Sequence, residues 1–197
     1  LRENGEWVYT EPYGWVWNPD VEDDWRPYAR GRWNPGPHGP VWIGPEPWSW
    51  PVYRYGRWDW RASIGWVWIP GRVFSSAHVT WYYGPDYVGW CPIGYYDVPV
   101  HVSIGFGWGH AWFDHHPWVF VGYDHFYYHR HVVRGHASRV RPHWNRGVVT
   151  RRAVHVRPHE IGAPGRRHGS DVSRKAAAVL RERARRLDGH GRAAATR

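Results

Sequence analysis

GWVWNP at Gly14–Pro19 returns as GPVWIG at Gly39–Gly44 and as GWVWIP at Gly65–Pro70, at offsets of 25 and 26 residues. A second phrase keeps step with it: RPYARGRW at Arg26–Trp33 and PVYRYGRW at Pro51–Trp58 are also 25 apart. A fixed period of this size marks one supersecondary unit written several times, each copy too small to bury its own apolar side and completed by its neighbours. In GWVW the two indoles fall on one face of an extended strand and the valine on the other, so Trp15 and Trp17 oppose Val16, and Trp66 and Trp68 oppose Val67. The run YRYGRWDW gives the same alternation, with Tyr53, Tyr55 and Arg57 on one side and Arg54, Trp58 and Trp60 on the other. Glycine and proline bound every run, as in hairpins. The fold class expected is all-β: repeated short antiparallel strand units, a meander of hairpins with a period of about 25 residues, followed by an extended C-terminal arm carrying one amphipathic α-helix.

Composition says what packs these units. The chain has 197 residues, 18 Trp, 13 Tyr, 5 Phe and no Met, so ring pairs must replace most aliphatic packing, at about 0.5–1.5 kcal/mol per pair beyond area burial. So many indoles exceed what a small core encloses, and some are expected at the surface, where an aromatic patch marks an interaction site. Arg30, Arg32, Arg54 and Arg57, interleaved with the rings, are expected to stack on them as cation–π partners.

Charge divides the chain unevenly. Residues 1–70 carry 7 basic against 9 acidic side chains, residues 71–125 carry 1 against 4, and residues 126–197 carry 18 against 4. Three segments follow: 1–95, a Trp-rich β-repeat domain; 96–135, a His- and aromatic-rich β extension packed on it; and 136–197, a basic Arg-rich arm with a helix at about 171–188. Ser170 or Asp171 caps that helix and Gly189 stops it. Val172, Ala176, Val179, Leu180, Ala184 and Leu187 form its apolar stripe. Either the stripe packs back on the sheet or the helix docks on an acidic partner or anionic lipid headgroups. For docking, the candidate partner-binding residues are Arg166, Arg167, Arg174, Lys175, Val179, Leu180, Arg181, Arg183, Arg185, Arg186 and Leu187. Nucleic acid would suit the charge but leave the Trp repeats without a role.

No catalytic motif is present: no GxSxG, no GxxxxGK[ST], no GxGxxG opening a helix, no CxxC. Ser75, Ser76 and His78, or Glu46 with Asp59, form only paper constellations, and the protein is expected not to be an enzyme and to use no cofactor. His110, His115, His116, His125, His129 and His131 would be the ligands if a metal were bound. Their spacing matches no zinc or copper motif, so surface and inter-strand histidines without metal are expected. The single cysteine, Cys91, excludes an internal disulfide. The longest apolar stretch, HVSIGFGWGHAWF from His101, is broken by Gly and His and too short to span a bilayer.

GEWVYTEPYGWVWNP, WRPYARGRW, PEPWSWPVYRYGRW, GWVWIPG and DYVGWCPIG, in that order, resemble an exported bacterial Trp-rich family of unknown function with YGxWxP and YGRW-type motifs. The resemblance covers about Gly5–Gly94 and continues weakly through PWVFVGYDHF; VFSSAHV at Val73–Val79 and the Arg-rich tail depart from it. It implies a signal peptide already removed, a peripheral periplasmic or extracellular location, and a non-enzymatic role. Combined with the basic arm, it leads to an accessory subunit that docks on other protein subunits and braces a membrane-associated envelope complex, respiratory or photosynthetic. The alternative is a cell-surface module binding glycan or another anionic polymer, since sugar rings stack on exposed indoles.

Overall fold

The structure, a computed structural model, describes residues 1–100, 117–127, 132, 144–154 and 169–194. Its strands are β1 (Gly5–Thr10), β2 (Gly14–Pro19), β3 (Arg32–Asn34), β4 (Val41–Ile43), β5 (Tyr55–Arg61), β6 (Gly65–Phe74), β7 (Val79–Tyr83), β8 (Tyr87–Pro92), β9 (Val119–Gly122) and β10 (Val148–Thr150). Helices α1 (Ser49–Arg54), α2 (Tyr123–Tyr127) and α3 (Gly169–Ala194) lie between and after them. All strand pairs are antiparallel.

The repeat unit is a hairpin, and its two halves are the two recurring phrases of the sequence. Each GRW-type phrase supplies the first strand and each VW phrase the second, with a cross-strand Trp pair at the same place in every unit: Trp7 opposite Trp17, Trp33 opposite Trp42, Trp58 opposite Trp68; the third unit adds Trp60 opposite Trp66. A fourth hairpin, β7–β8, pairs Trp81 with Trp90. Directly opposed rings stabilise a strand pair by about 0.2–1 kcal/mol each. β1–β2 and β5–β6 turn through three residues each, closed by Tyr13 N–H to Thr10 C=O (2.9 Å) and Ile64 N–H to Arg61 C=O (3.1 Å). Gly14 and Gly65 leave these turns with φ +77° and +84°.

Glycine recurs at a second position for a different reason. Gly5, Gly31 and Gly56 each stand two residues before the first-strand Trp, with φ +157°, +147° and +75°. A β-carbon on them would lie 2.2 Å from Asn18 O, 2.4 Å from Ile43 O and 2.2 Å from Ile69 O. Those carbonyls belong to the residue following the second-strand Trp of the same hairpin, so the two strands close only if no side chain intervenes.

The units are not laid out as one meander. Hairpins one and three join through β2 and β6, giving the order β1-β2-β6-β5, while β3–β4 stands as a two-stranded ribbon. Pro35, Pro37 and Pro40 remove amide donors beside its three-residue strands, which leaves it too short to join a larger ladder. The fourth hairpin is completed by later segments in the order β10-β7-β8-β9. Ser49–Arg54, within the run whose side-chain alternation suggested a strand, is instead a short helix, with Pro51 in its first turn where a missing N–H costs nothing.

One aromatic core unites the sheets. Trp17, Trp25, Trp48 and Trp58 cluster with centroids 4.9–6.5 Å apart. Tyr53 links them to Tyr28 (4.6 Å), Tyr28 to Trp33 (5.9 Å), and Trp33 to Trp81 (4.7 Å) and Trp90 (5.5 Å). Val16, Val67 and Ile69 make a small second cluster on the opposite face of the first sheet, as the alternation of GWVW predicts. Val119, Val121, Val132, Val154, Ala176, Leu180 and Ala184 share the core with the Trp repeats. The later segments therefore close the same interior that residues 1–95 begin.

Candidate functional site

Among the described residues three surfaces stand out: a groove, a basic helix face and an exposed aromatic patch. The groove encloses about 850 Å³ where the base of β1–β2, the turn of β5–β6 and the loop after β2 converge. Glu6, Asn18, Asp20, Asp23, Trp60 and Trp66 shape it. Asn18 ties the two hairpins at this point, its side-chain amide donating to Ile64 O (3.0 Å) and Trp66 O (2.9 Å). Glu6, Asp20 and Asp23 are exposed on its rim. Glu22, also in the lining, is neutralised by Arg30 at 2.7 Å, and Arg30 bonds Asp24 as well (3.2 Å).

Behind the groove, the Trp25 indole N–H donates to Glu46 Oε1 (2.9 Å) and the Tyr53 hydroxyl donates to the same oxygen (3.5 Å). Burial raises the Glu46 carboxyl above its ordinary range, partly offset by the Trp25 bond and others. Nearby, the buried Arg54 donates from Nη2 to Trp42 O (2.8 Å). The Tyr28 hydroxyl accepts from His78 N–H (3.3 Å), and burial raises Tyr28 and Tyr53 while lowering His78. These bonds tie the ring cluster to its surroundings, while Glu46 Oε2 and Arg54 Nη1 are buried with no hydrogen-bond partner among the described residues.

The paper constellations do not assemble. Ser75 Oγ donates to Ala77 O (2.8 Å), Ser76 Oγ to His38 O (3.3 Å), and His78 Nε2 contacts Arg54 O (3.3 Å), so each is occupied by backbone. Asp59 accepts from Tyr13 OH and Tyr95 N–H, both at 3.1 Å, and shares no partner with Glu46. The expected cation–π role passes to another arginine: Arg61 lies 5.2 Å above the Tyr13 ring. Arg30 forms the ion pairs above, Arg57 pairs with Asp97 at 2.5 Å, and Arg54 is spent on Trp42 O.

Of the histidines, His125 lies in α2; His110, His115, His116, His129 and His131 lie outside the described residues. Among the described residues no group of three or more His, Cys, Asp or Glu is placed to hold a metal ion.

The C-terminal helix runs from Gly169 to Ala194, longer at both ends than 171–188 and continuing through Gly189. Ala176, Ala177, Leu180 and Ala184 are buried, with Val179 and Leu187 packed against the same core. Of the candidate partner-binding residues, Leu180 is fully enclosed by its own chain, and Val179 and Leu187 are partly buried against it. Lys175, Arg185 and Arg186 are exposed, Arg186 pairing with Glu182 one turn earlier. Arg181 and Arg183 are half-buried, and Arg181 donates to Ala177 O (3.2 Å) and Arg146 O (3.5 Å). Arg166 and Arg167 lie outside the described residues, as does the side chain of Arg174.

The aromatic patch sits on the first hairpin. Tyr9 and Trp15 are 58% and 61% exposed and meet edge to face at 5.8 Å, with Trp7 beside them on the same strand face. Ten indoles are buried among the described residues, against three exposed ones, Trp7, Trp15 and Trp50.

Residues 1–97 match the model of DUF6600, a family of unknown function. The match ends close to where the β7–β8 hairpin ends, so β9, β10 and the C-terminal helix, which complete the second sheet and the core, lie beyond it. No curated protein and no solved structure matches the chain. Among the described residues, no helix is long and apolar enough to cross a membrane.

Proposed function

We propose that this is a non-catalytic, exported accessory protein whose ring-packed scaffold holds a cationic helix face toward the acidic surface of a larger envelope assembly. The observation that carries the reading is the division of labour on the C-terminal helix. Ala176, Ala177, Leu180 and Ala184 are buried against its own core, so the helix is fixed, while Lys175, Arg185 and Arg186 stand in solvent. A rigid array of cations recognises an acidic protein surface or anionic headgroups without the entropy cost of ordering a loose tail. Export is what the resemblance to the Trp-rich family implies, and Ser75, Ser76 and His78 are engaged by backbone.

Native purification with identification of co-purifying chains tests it directly. The partner is expected to be retained by the wild type, released by Lys175→Glu/Arg185→Glu, and released by high salt as the Debye length falls from about 10 Å at 0.1 M to about 3 Å at 1 M. Retention of the same partner by the charge-reversed protein overturns the reading.

The glycan alternative is favoured by one observation, the exposed Tyr9–Trp15 pair, whose rings offer a stacking platform on a rigid hairpin. Co-sedimentation with insoluble polysaccharide, lost in Trp15→Ala, would support it.

A further inference from the structure

We infer that the row of indoles across the first sheet is a one-electron relay, which carries an oxidising equivalent from Trp7 at the surface to Tyr53 and leaves it there as a phenoxyl radical, with Glu46 as proton acceptor. The row is built into the ladder. Trp7 stands opposite Trp17, Trp17 opposite Trp68 and Trp68 opposite Trp58, so four strands each place one indole in line on the same face. Trp7 is 38% exposed and meets Trp68 edge to face at 6.3 Å. Trp17 lies 6.5 Å from Trp58, and Trp58 lies 6.2 Å from the fully buried Tyr53. One end of the row thus meets solvent and the other is sealed.

Packing alone does not ask for a carboxylate at the sealed end. Glu46 Oε1 accepts from the Trp25 indole N–H (2.9 Å) and the Tyr53 hydroxyl (3.5 Å), while Oε2 is buried with no partner among the described residues. A carboxylate held in this way is costly, and an aliphatic side chain would fill the space without that cost. What the carboxylate adds is a place for a proton. A phenol with a proton acceptor in reach is oxidised more easily than an indole without one, and the N–H groups of Trp17 and Trp58 have no acceptor among the described residues. The balance closes at named atoms. A one-electron oxidant takes an electron from Trp7 and leaves an indole radical cation. An electron from Tyr53, passed through Trp58 and Trp68, restores that ring; the Tyr53 O–H bond breaks and its proton moves to Glu46 Oε1. The Trp25 bond keeps this oxygen in place.

The relay is independent of the basic helix face, so either can fail alone. The test is pulse radiolysis of the full chain in mildly alkaline buffer, where Glu46 carries its charge. The azide radical serves as the one-electron oxidant and becomes azide anion as it oxidises an indole. Indolyl absorption is expected first, followed by phenoxyl absorption that grows at a rate independent of protein concentration. Because Tyr53 is sealed from other molecules, part of the phenoxyl signal should outlast the recombination of surface radicals. Tyr53→Phe should cut that lasting fraction by about 10-fold and Trp7→Phe several-fold, while Tyr9→Phe, at an exposed ring, leaves it unchanged. Glu46→Gln keeps every ring and removes the proton acceptor, and should slow growth of the signal by about 100-fold, as for loss of a general base. The proposal is overturned by the absence of a lasting phenoxyl in the wild type, by the same fraction in Tyr53→Phe or Trp7→Phe, by an equal loss in Tyr9→Phe, or by an unchanged rate in Glu46→Gln.

Discussion

The carbonyl oxygen of Ile69 lies 2.2 Å from the point where a β-carbon on Gly56 would sit, with Gly71 N at 2.9 Å from the same point. Backbone cannot move aside there without opening the β5–β6 ladder. The φ of +75° adds its own penalty for any L side chain.

Gly56→Ala is therefore expected to destabilise the protein by about 3 kcal/mol or more, combining a left-handed strain of about 1–2 kcal/mol with a backbone clash. Gly14→Ala separates the two effects. Its φ is +77° but nothing lies within 4 Å of the added carbon, so only the strain, about 1–2 kcal/mol, should appear. Urea denaturation of both variants checks this; equal losses would show that the close approach is not what the motif protects.

Trp17→Ala is expected to cost about 3–5 kcal/mol, as for other large core truncations. Trp15→Ala, two residues away on the same strand face, should cost no more than about 1 kcal/mol, the loss of its exposed cross-strand contact with Tyr9, because Trp15 is 61% exposed and Trp17 fully buried. Thermal melts of the two variants give the comparison.

That contrast marks how far the sequence could be read. The period-2 pattern assigns Trp15 and Trp17 to one face and Val16 to the other, and the structure keeps that assignment. It cannot say that the core reaches only as far as Trp17, because coverage depends on Trp48 and Trp58, brought in from 31 and 41 positions away. The helix at Ser49–Arg54 was hidden because its aromatic and valine positions also satisfy a strand alternation. GEW at Gly5 carries the GRW phrase of Gly31 and Gly56 into the first unit, and all three mark the start of a hairpin. The groove left no local trace at all. Glu6, Asp20, Trp60 and Trp66 become neighbours only when β2 pairs with β6 across the skipped second unit. The tail's stripe was legible, while its destination depended on a sheet edge supplied by β10.

Glu46 makes stability depend on pH. Its folded-state carboxyl is raised, chiefly by burial, so the folded protein holds the proton more tightly than the unfolded chain. This contribution is complete below the ordinary carboxylate range and is lost as pH rises through the raised folded value. Glu46→Gln should leave stability near pH 4 little changed, raise it at pH 7, and flatten the pH profile between them. Urea midpoints across that range would show it, and a variant as pH-dependent as the wild type would refute the assignment.

Cys91 is fully buried, and burial pushes its thiol well above the ordinary value. Only the thiolate reacts readily, so the native protein should resist a chromogenic disulfide reagent at pH 8. Modification should follow the global unfolding transition in denaturant. Rapid labelling of the folded protein would show that the β7–β8 hairpin opens on its own.

The four indoles of Trp17, Trp25, Trp48 and Trp58 are close enough for their electronic transitions to couple, and their fixed mutual tilts make that coupling chiral. The protein thus carries an internal optical gauge of its own packing. A small slip of one hairpin against another would alter its near-ultraviolet circular dichroism while leaving the backbone spectrum unmoved.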